Sequence, residues 1–150
     1  MRIDYEKLVP ESVALLYKVH EHIQKSGVDP VLAELASLRT SQINGCAFCI
    51  ELHSKILRHQ GVSFEKLLLV SAWREAGSVF NEKEQAVLLW SESLTSLAKT
   101  HAPDSDFNKM KMHFSEKEIA NFTVAIALTN AYNRIAVGMR RLPEAASKAS

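Results

Sequence analysis

Two cysteines, four prolines and five glycines are all that the 150 residues contain of the types that staple or break a chain. So few breakers, beside 47% hydrophobic residues, exclude a disordered chain and leave enough apolar material for a packed core. Two cysteines are too few for the disulfide framework of a small secreted scaffold. An excess of one charge is lacking too. The 18 basic and 17 acidic residues leave +1, which argues against non-specific capture of nucleic acid or of an anionic membrane. No basic stripe marks a nucleic-acid face. The opening MRIDYEKLVPES has no apolar run behind a basic start. No signal peptide is therefore expected, and the reducing cytoplasm is the expected compartment. The most apolar stretch, 119–137, approaches membrane-spanning length. Asn121, Asn130, Asn133 and Arg134 interrupt it, so a buried helix is expected instead. Repeats, low-complexity stretches and long charge runs are absent. One domain over 1–150 is expected, with only the polar tail after Pro143 resembling a linker.

What is present reads as helix throughout, since no segment keeps a strand's two-residue alternation between hairpin turns. About six helices are expected. The first follows Pro10 and ends near Ser26-Gly27, where glycine can take the left-handed stop. Asp29-Pro30 supplies a cap and a first-turn proline for a second helix, interrupted at Asn44-Gly45. A third runs from about Cys46 to His59, and Ser63 opens a fourth through FEKLLLVSAWREA. Asn81 with Glu84, and Ser115 with Glu118, have the spacing of capping boxes for the fifth and last helices. The last is apolar on nearly all sides, through Ile119, Phe122, Val124, Ile126, Leu128, Ile135 and Val137. Such a helix must be buried on more than one face, as a central helix, a subunit interface, or both.

The chemistry is concentrated in Gly45-Cys46-Ala47-Phe48-Cys49-Ile50-Glu51-Leu52-His53. At about 100° per residue, Cys46, Cys49 and His53 fall within an arc of roughly 60° on one helix face. Cys49 and His53 are a turn apart, whereas Glu51 and His59 project to the other side. Unpaired N–H groups at the helix start, the neighbouring imidazole and the C-x-x-C arrangement all lower a thiol pKa, which is how a redox cysteine is activated. Two other readings stand beside this one. The cysteines can be ordinary packing residues. They can also bind zinc with His53, although a fourth ligand is not evident unless another subunit supplies it. The remaining histidines, His20, His22, His59, His101 and His113, are scattered singly and read as surface residues.

The stretches ELASLRTSQINGCAFCIELHSKILRHQG, SAWREAGSVFNEKEQAVLLWSESLT and FSEKEIANFTVAIALTNAYNRIA resemble the alkyl hydroperoxidase D (AhpD) core of the carboxymuconolactone decarboxylase superfamily. The resemblance runs over about residues 30–138 and is sharpest in a glutamate twelve residues before C-x-x-C and a histidine four after it: Glu34, Cys46, Cys49 and His53. It implies an all-α, AhpD-like helical bundle with the C-x-x-C at the N-terminus of a central helix, and assembly as a trimer, hexamer or other homo-oligomer. It also implies a thiol-dependent peroxidase in which a Glu34–His53 relay moves protons for a Cys46–Cys49 disulfide cycle. Hydroperoxide is then the substrate, and a dithiol, such as the dihydrolipoyl group of a lipoylated protein, is the reductant. A disulfide reductase acting on a lipoylated protein or a peroxiredoxin is the neighbouring alternative. One departure is plain: the best-studied members have histidine immediately before the second cysteine, where this chain has Phe48. Decarboxylases of the superfamily do not depend on the cysteine pair, so its presence favours redox chemistry. No cofactor is expected. Of the two thiols, Cys46 is nearer the helix start, while Cys49 is next to His53 and is the expected attacker.

Outside this segment, Trp73 and Trp90, beside Leu68, Leu69, Leu88 and Leu89, read as core. Arg74 and Glu75 read as surface charges or as contributions to another subunit's site. Lys109 and Lys111 with Met110, Met112 and His113 read as a solvated connection with apolar anchors.

Overall fold

The computed structural model describes residues 1–148. In chain order the α-helices are α1 (Tyr5–Leu8), α2 (Pro10–Gln24), α3 (Pro30–Ile43), α4 (Ala47–His59), α5 (Phe64–Leu69), α6 (Glu82–Thr95), α7 (Leu97–Thr100), α8 (Asp104–Lys111), α9 (Glu116–Gly138) and α10 (Glu144–Lys148). Two 3-10 segments, Val70–Glu75 and Gly77–Val79, lie between α5 and α6, and the described residues contain no strand. The fold is all-α, and the six helices expected from sequence correspond to α2, α3, α4, α5, α6 and α9. Among the described residues no helix is long and apolar enough to cross a membrane.

Local chemistry sets most of the boundaries. The Asp29 carboxylate accepts the N–H groups of Val31 and Leu32 at 2.8 and 3.1 Å, starting α3 behind Pro30. Asn81 and Glu84, and likewise Ser115 and Glu118, exchange the reciprocal bonds of a capping box at the starts of α6 and α9. Gly45, at φ +66, lets the chain leave α3 and turn at once into α4.

Two long expected helices are broken. The fourth stops at Leu69 and tightens into the 3-10 segment, with Ala72 outside helical geometry. There Trp73 is buried and its indole N–H donates to Glu92 at 2.9 Å. A continuous α-helix would present a different face at this position. The fifth yields at Ser96 to α7, and His101 and Ala102 then take positive φ before α8. The expected solvated connection near Lys109 is thus a helix, with Met110 fully buried beneath it. The tail after Pro143 is not a linker up to residue 148. The Lys55 ammonium meets Glu144 at 2.7 Å, and the Ala145 N–H donates to Glu51 at 3.2 Å, holding the start of α10 on α4.

Helices α3 and α9 are the hubs: α3 packs on α4, α6 and α9, and α9 also meets α2, α4, α6 and α8. The main core joins Leu35, Leu38, Leu57, Val87, Leu88, Phe122 and Ile126, with both tryptophans at its margin. Leu68 and Leu69 instead face solvent. Residues 13–56 of this arrangement bring α2, α3 and α4 around one side of α9, and that is where the cysteines lie.

Candidate active site

The pair sits where α3 turns into α4. Cys46 is the N-cap of α4: its N–H donates to the Ser41 carbonyl at 3.0 Å, and its Sγ accepts the Cys49 N–H at 3.3 Å. Cys49 lies in the first turn, and the two are joined as a disulfide across a Cα–Cα distance of 5.3 Å. Both are buried, Cys46 at 1% and Cys49 at 4% exposure, and both pack on Ala136 of α9. One turn further along α4, His53 Nδ1 lies 2.7 Å from Glu34 Oε2 on α3. An ionised carboxylate only accepts hydrogen bonds, so Nδ1 is the donor and Nε2 is the nitrogen left for chemistry. The structure therefore brings together all four residues singled out by sequence: Glu34, Cys46, Cys49 and His53.

A cavity of about 560 Å³ opens between α2, α3, α4 and α9. Cys49, His53 and Glu34 line it, and Cys46 is not among its lining residues. Its walls are mostly apolar, through Val13, Leu16, Ile23, Ile56, Ala125 and Leu128. His20, expected at the surface, is half-buried in this wall because α2 lies over the cavity. At the cysteine end, Arg141 donates through Nη1 to the Tyr5 hydroxyl and to Glu6, each at 2.7 Å, and its guanidinium lies 4.1 Å from the centre of the Phe48 ring. The Arg2 N–H donates to the Met139 carbonyl at 2.7 Å, so the N-terminal segment is fastened to the end of α9 beside the site.

Sequence reasoning missed the groups that hold the turn in place. The Asn44 amide donates to the side-chain oxygens of Asn130 and Asn133 at 3.0 and 2.9 Å, and the Asn133 amide donates to Ser41 Oγ at 3.1 Å. Ser37 and Thr129 share a further bond at 3.1 Å between α3 and α9. The available signal was polar side chains on an otherwise apolar helix, which at first told only against a membrane span. Arg74 also resolves: together with Arg39 and the Trp73 indole it surrounds the Glu92 carboxylate, away from the cavity lining. Burial opposes ionisation of Glu92, but the bonds from Trp73, Arg74 and Arg39 outweigh it and hold the carboxyl below its ordinary value.

Among the described residues no three His, Cys, Asp or Glu side chains are grouped to hold a metal ion. What the arrangement offers is a dithiol/disulfide at a helix cap, with Cys49 lining a cavity and a carboxylate–imidazole pair along the same wall.

Comparison with known proteins agrees with this picture. The model of the carboxymuconolactone decarboxylase family matches residues 10–92. The chain shares 29% identity over 138 residues with the uncharacterised protein YdfG of Bacillus subtilis, spanning 92% of this chain and 93% of that one. It shares 46% identity over 46 residues with the alkyl hydroperoxide reductase AhpD of Solibacter usitatus, a match to 31% of this chain and 26% of that protein. The crystal structure of ATU0492 from Agrobacterium tumefaciens, a protein of unknown function regarded as a candidate AhpD antioxidant-defence protein, superposes with a TM-score of 0.91 at 43% identity, covering 95% and 97% of the two chains.

Proposed function

The chain belongs to the carboxymuconolactone decarboxylase family, with AhpD-like relatives, and from that premise we propose that it is a thiol-dependent peroxidase reducing hydroperoxides through the Cys46–Cys49 pair. The observation that carries the reading is a helix-cap disulfide with Cys49 lining a cavity that the Glu34–His53 pair also lines. In the proposed cycle the Cys49 thiolate attacks the outer oxygen of the hydroperoxide. An S–O bond forms as the O–O bond breaks, and the alkoxide leaves as alcohol with a proton from His53. The Cys46 thiolate then displaces hydroxide from the Cys49 sulfenic acid, giving the disulfide and, on protonation, water. Two electrons have passed from two thiols to one peroxide. An external dithiol restores the pair through a mixed disulfide at Cys49, releasing Cys46 as the thiolate that the Cys49 N–H stabilises. Glu34 orients His53 and stabilises its charged form. A dihydrolipoyl group of a lipoylated protein is the proposed donor, and a reducing cytoplasm is the proposed compartment. The exposed Val124 and Val137 on α9 support the accompanying proposal of a homo-oligomer, a trimer or hexamer.

Pre-reduced protein treated with one equivalent of organic hydroperoxide is expected to lose two thiols per chain. Cys49→Ser should consume no peroxide, and Cys46→Ser should consume one equivalent and stop. Full turnover retained in both variants would refute the cycle. Disulfide reduction without any peroxide consumption would favour the disulfide reductase, and stoichiometric zinc with no titratable thiols would favour a metal-binding module.

A further inference from the structure

The cavity has a shape that narrows its occupant. Along α4 and its C-cap the lining runs from Phe48 and Cys49 through Leu52, His53 and Ile56 to Gln60. On α9 the lining runs from Ala125 to Ala136. At about 1.5 Å per residue both spans are roughly 17 Å long. The helices agree on which end holds the chemistry. Ala136 packs on Cys46 and Cys49, the rings of Tyr17 and Tyr132 meet at 6.0 Å midway, and Ile23 packs with Ala125 and Leu128 at the other end. The reactive sulfur is thus at one end of a long cleft, and the solvent-exposed Gln24 and Gln60 mark the other. The cleft is elongated and mostly apolar, a shape that suits an alkyl chain lying along the two helices.

We infer that the cleft selects long-chain hydroperoxides, with the O–O group at Cys49 and the alkyl chain laid along α4 and α9 toward Gln60. The chemistry at Cys49 rests on the peroxidase reading, whereas the chain-binding cleft does not. A zigzag chain advances about 1.25 Å per C–C bond, so the cleft accommodates about a dozen carbons. Each methylene removed from water by apolar walls such as Leu52, Ile56 and Leu128 improves binding about fourfold.

Two measurements test this. Primary alkyl hydroperoxides from butyl to dodecyl should show kcat/KM rising about fourfold per methylene until the cleft is filled. Independently, calorimetry of the oxidised protein with the redox-inert 1-alkanols should show Kd falling by the same factor per methylene. Ile56→Trp, which fills the cleft beyond His53, should remove the advantage of the longer chains over butyl hydroperoxide. Alkanol binding that follows chain length without any peroxide turnover would sink the peroxidase reading and keep the cleft. Peroxide turnover and alkanol binding both indifferent to chain length, or an Ile56→Trp variant with an unchanged length profile, would overturn the inference.

Discussion

Replacing Glu34 by glutamine tests the proposed relay with little disturbance to packing. The side chain keeps its volume and can still accept the Nδ1–H of His53, but it loses its charge. In the structure the carboxylate and the ring nitrogen are 2.7 Å apart, and both side chains are nearly buried, at 10% and 13% exposure. A hydrogen bond to a charged group is worth about 1.5–3 kcal/mol, against about 1 for a neutral pair. In the cycle His53 must take a proton from a thiol and return it to the leaving alkoxide, so its charged form is an intermediate that the carboxylate stabilises. Loss of the difference, about 0.5–2 kcal/mol, from that form slows the step roughly 2- to 30-fold. Single-turnover loss of thiols, followed by stopped flow after mixing reduced protein with hydroperoxide, isolates this step from reduction of the disulfide. Thermal melting should change by no more than a few degrees, since the neutral bond survives. Unchanged single-turnover rates in Glu34→Gln and in His53→Ala would refute the relay. A rate loss matched by a large drop in melting temperature would assign Glu34 to scaffolding instead.

Three further outcomes follow from groups around the site. The Tyr132 hydroxyl is buried without a hydrogen-bond partner among the described residues, and burial, reinforced by nearby Tyr17, raises its pKa from 10.0 to about 12. A raised acid contributes stability that is complete below its unfolded value and is lost as pH climbs through the folded one. Tyr132→Phe should therefore be neutral or up to about 2 kcal/mol stabilising at pH 7 by urea unfolding, and should lose less stability above pH 10 than the parent. A destabilised Tyr132→Phe would refute this. Glu92 is depressed from 4.5, so its stabilisation is present above that value and disappears as pH falls through the lower folded one. Glu92→Gln should be less stable at pH 7 by about 1–3 kcal/mol and should show a flatter decline in acid; parallel pH–stability curves would contradict the assignment. Asn133→Ala removes a 1% exposed side chain that accepts from Asn44 and donates to Ser41. It should cost about 2–4 kcal/mol and quicken reduction of the Cys46–Cys49 disulfide by a small dithiol, and an unaltered reduction rate would show that the network does not hold the turn.

Features fixed by neighbours in the chain were legible in the sequence. Asp29 before Pro30, Asn81 before Glu84 and Ser115 before Glu118 form their bonds within a single turn, so residue type and spacing suffice. The grouping of Cys46, Cys49 and His53 was legible for the same reason, because one helix face carries all three. Glu34 was different: its partner lies on another helix, and spacing alone permitted a solvent-facing carboxylate, so only the family resemblance pointed to it. The break after Leu69 and the inward placing of His20 depend on what α6 and α2 meet across the fold. Local propensity does not encode Glu92 waiting for the Trp73 indole, nor a cavity under α2. The asparagines of α9 show the limit most clearly. Read along the chain they are defects in an apolar run; in the fold they are the ties between α9 and the cysteine turn.

Phe48 bears on how the proposed cycle would run. Histidine at this position would put a second titrating imidazole beside the reactive sulfur. Here the ring has Arg141 stacked on it at 4.1 Å, and that guanidinium is itself held by Tyr5 and Glu6. Burial works against the charge of Arg141, yet the bonds to Tyr5 and Glu6 prevail and raise its pKa further, so it remains a cation at any working pH and transfers no proton. Proton traffic in the cycle then falls to His53, and the Arg141 cluster supplies a constant field and a fastening for the N-terminal segment. In a peroxidase built this way, placing an imidazole beside Cys49 with Phe48→His should change the pH profile of peroxide reduction. The same substitution removes the aromatic face under Arg141, so the N-terminal segment should loosen, with faster amide exchange at Arg2, whose N–H is bonded to Met139. Both effects in one variant would tie the residue before Cys49 to proton supply and to closure of the cysteine end of the cleft; a pH profile identical to the parent's would deny it the first role.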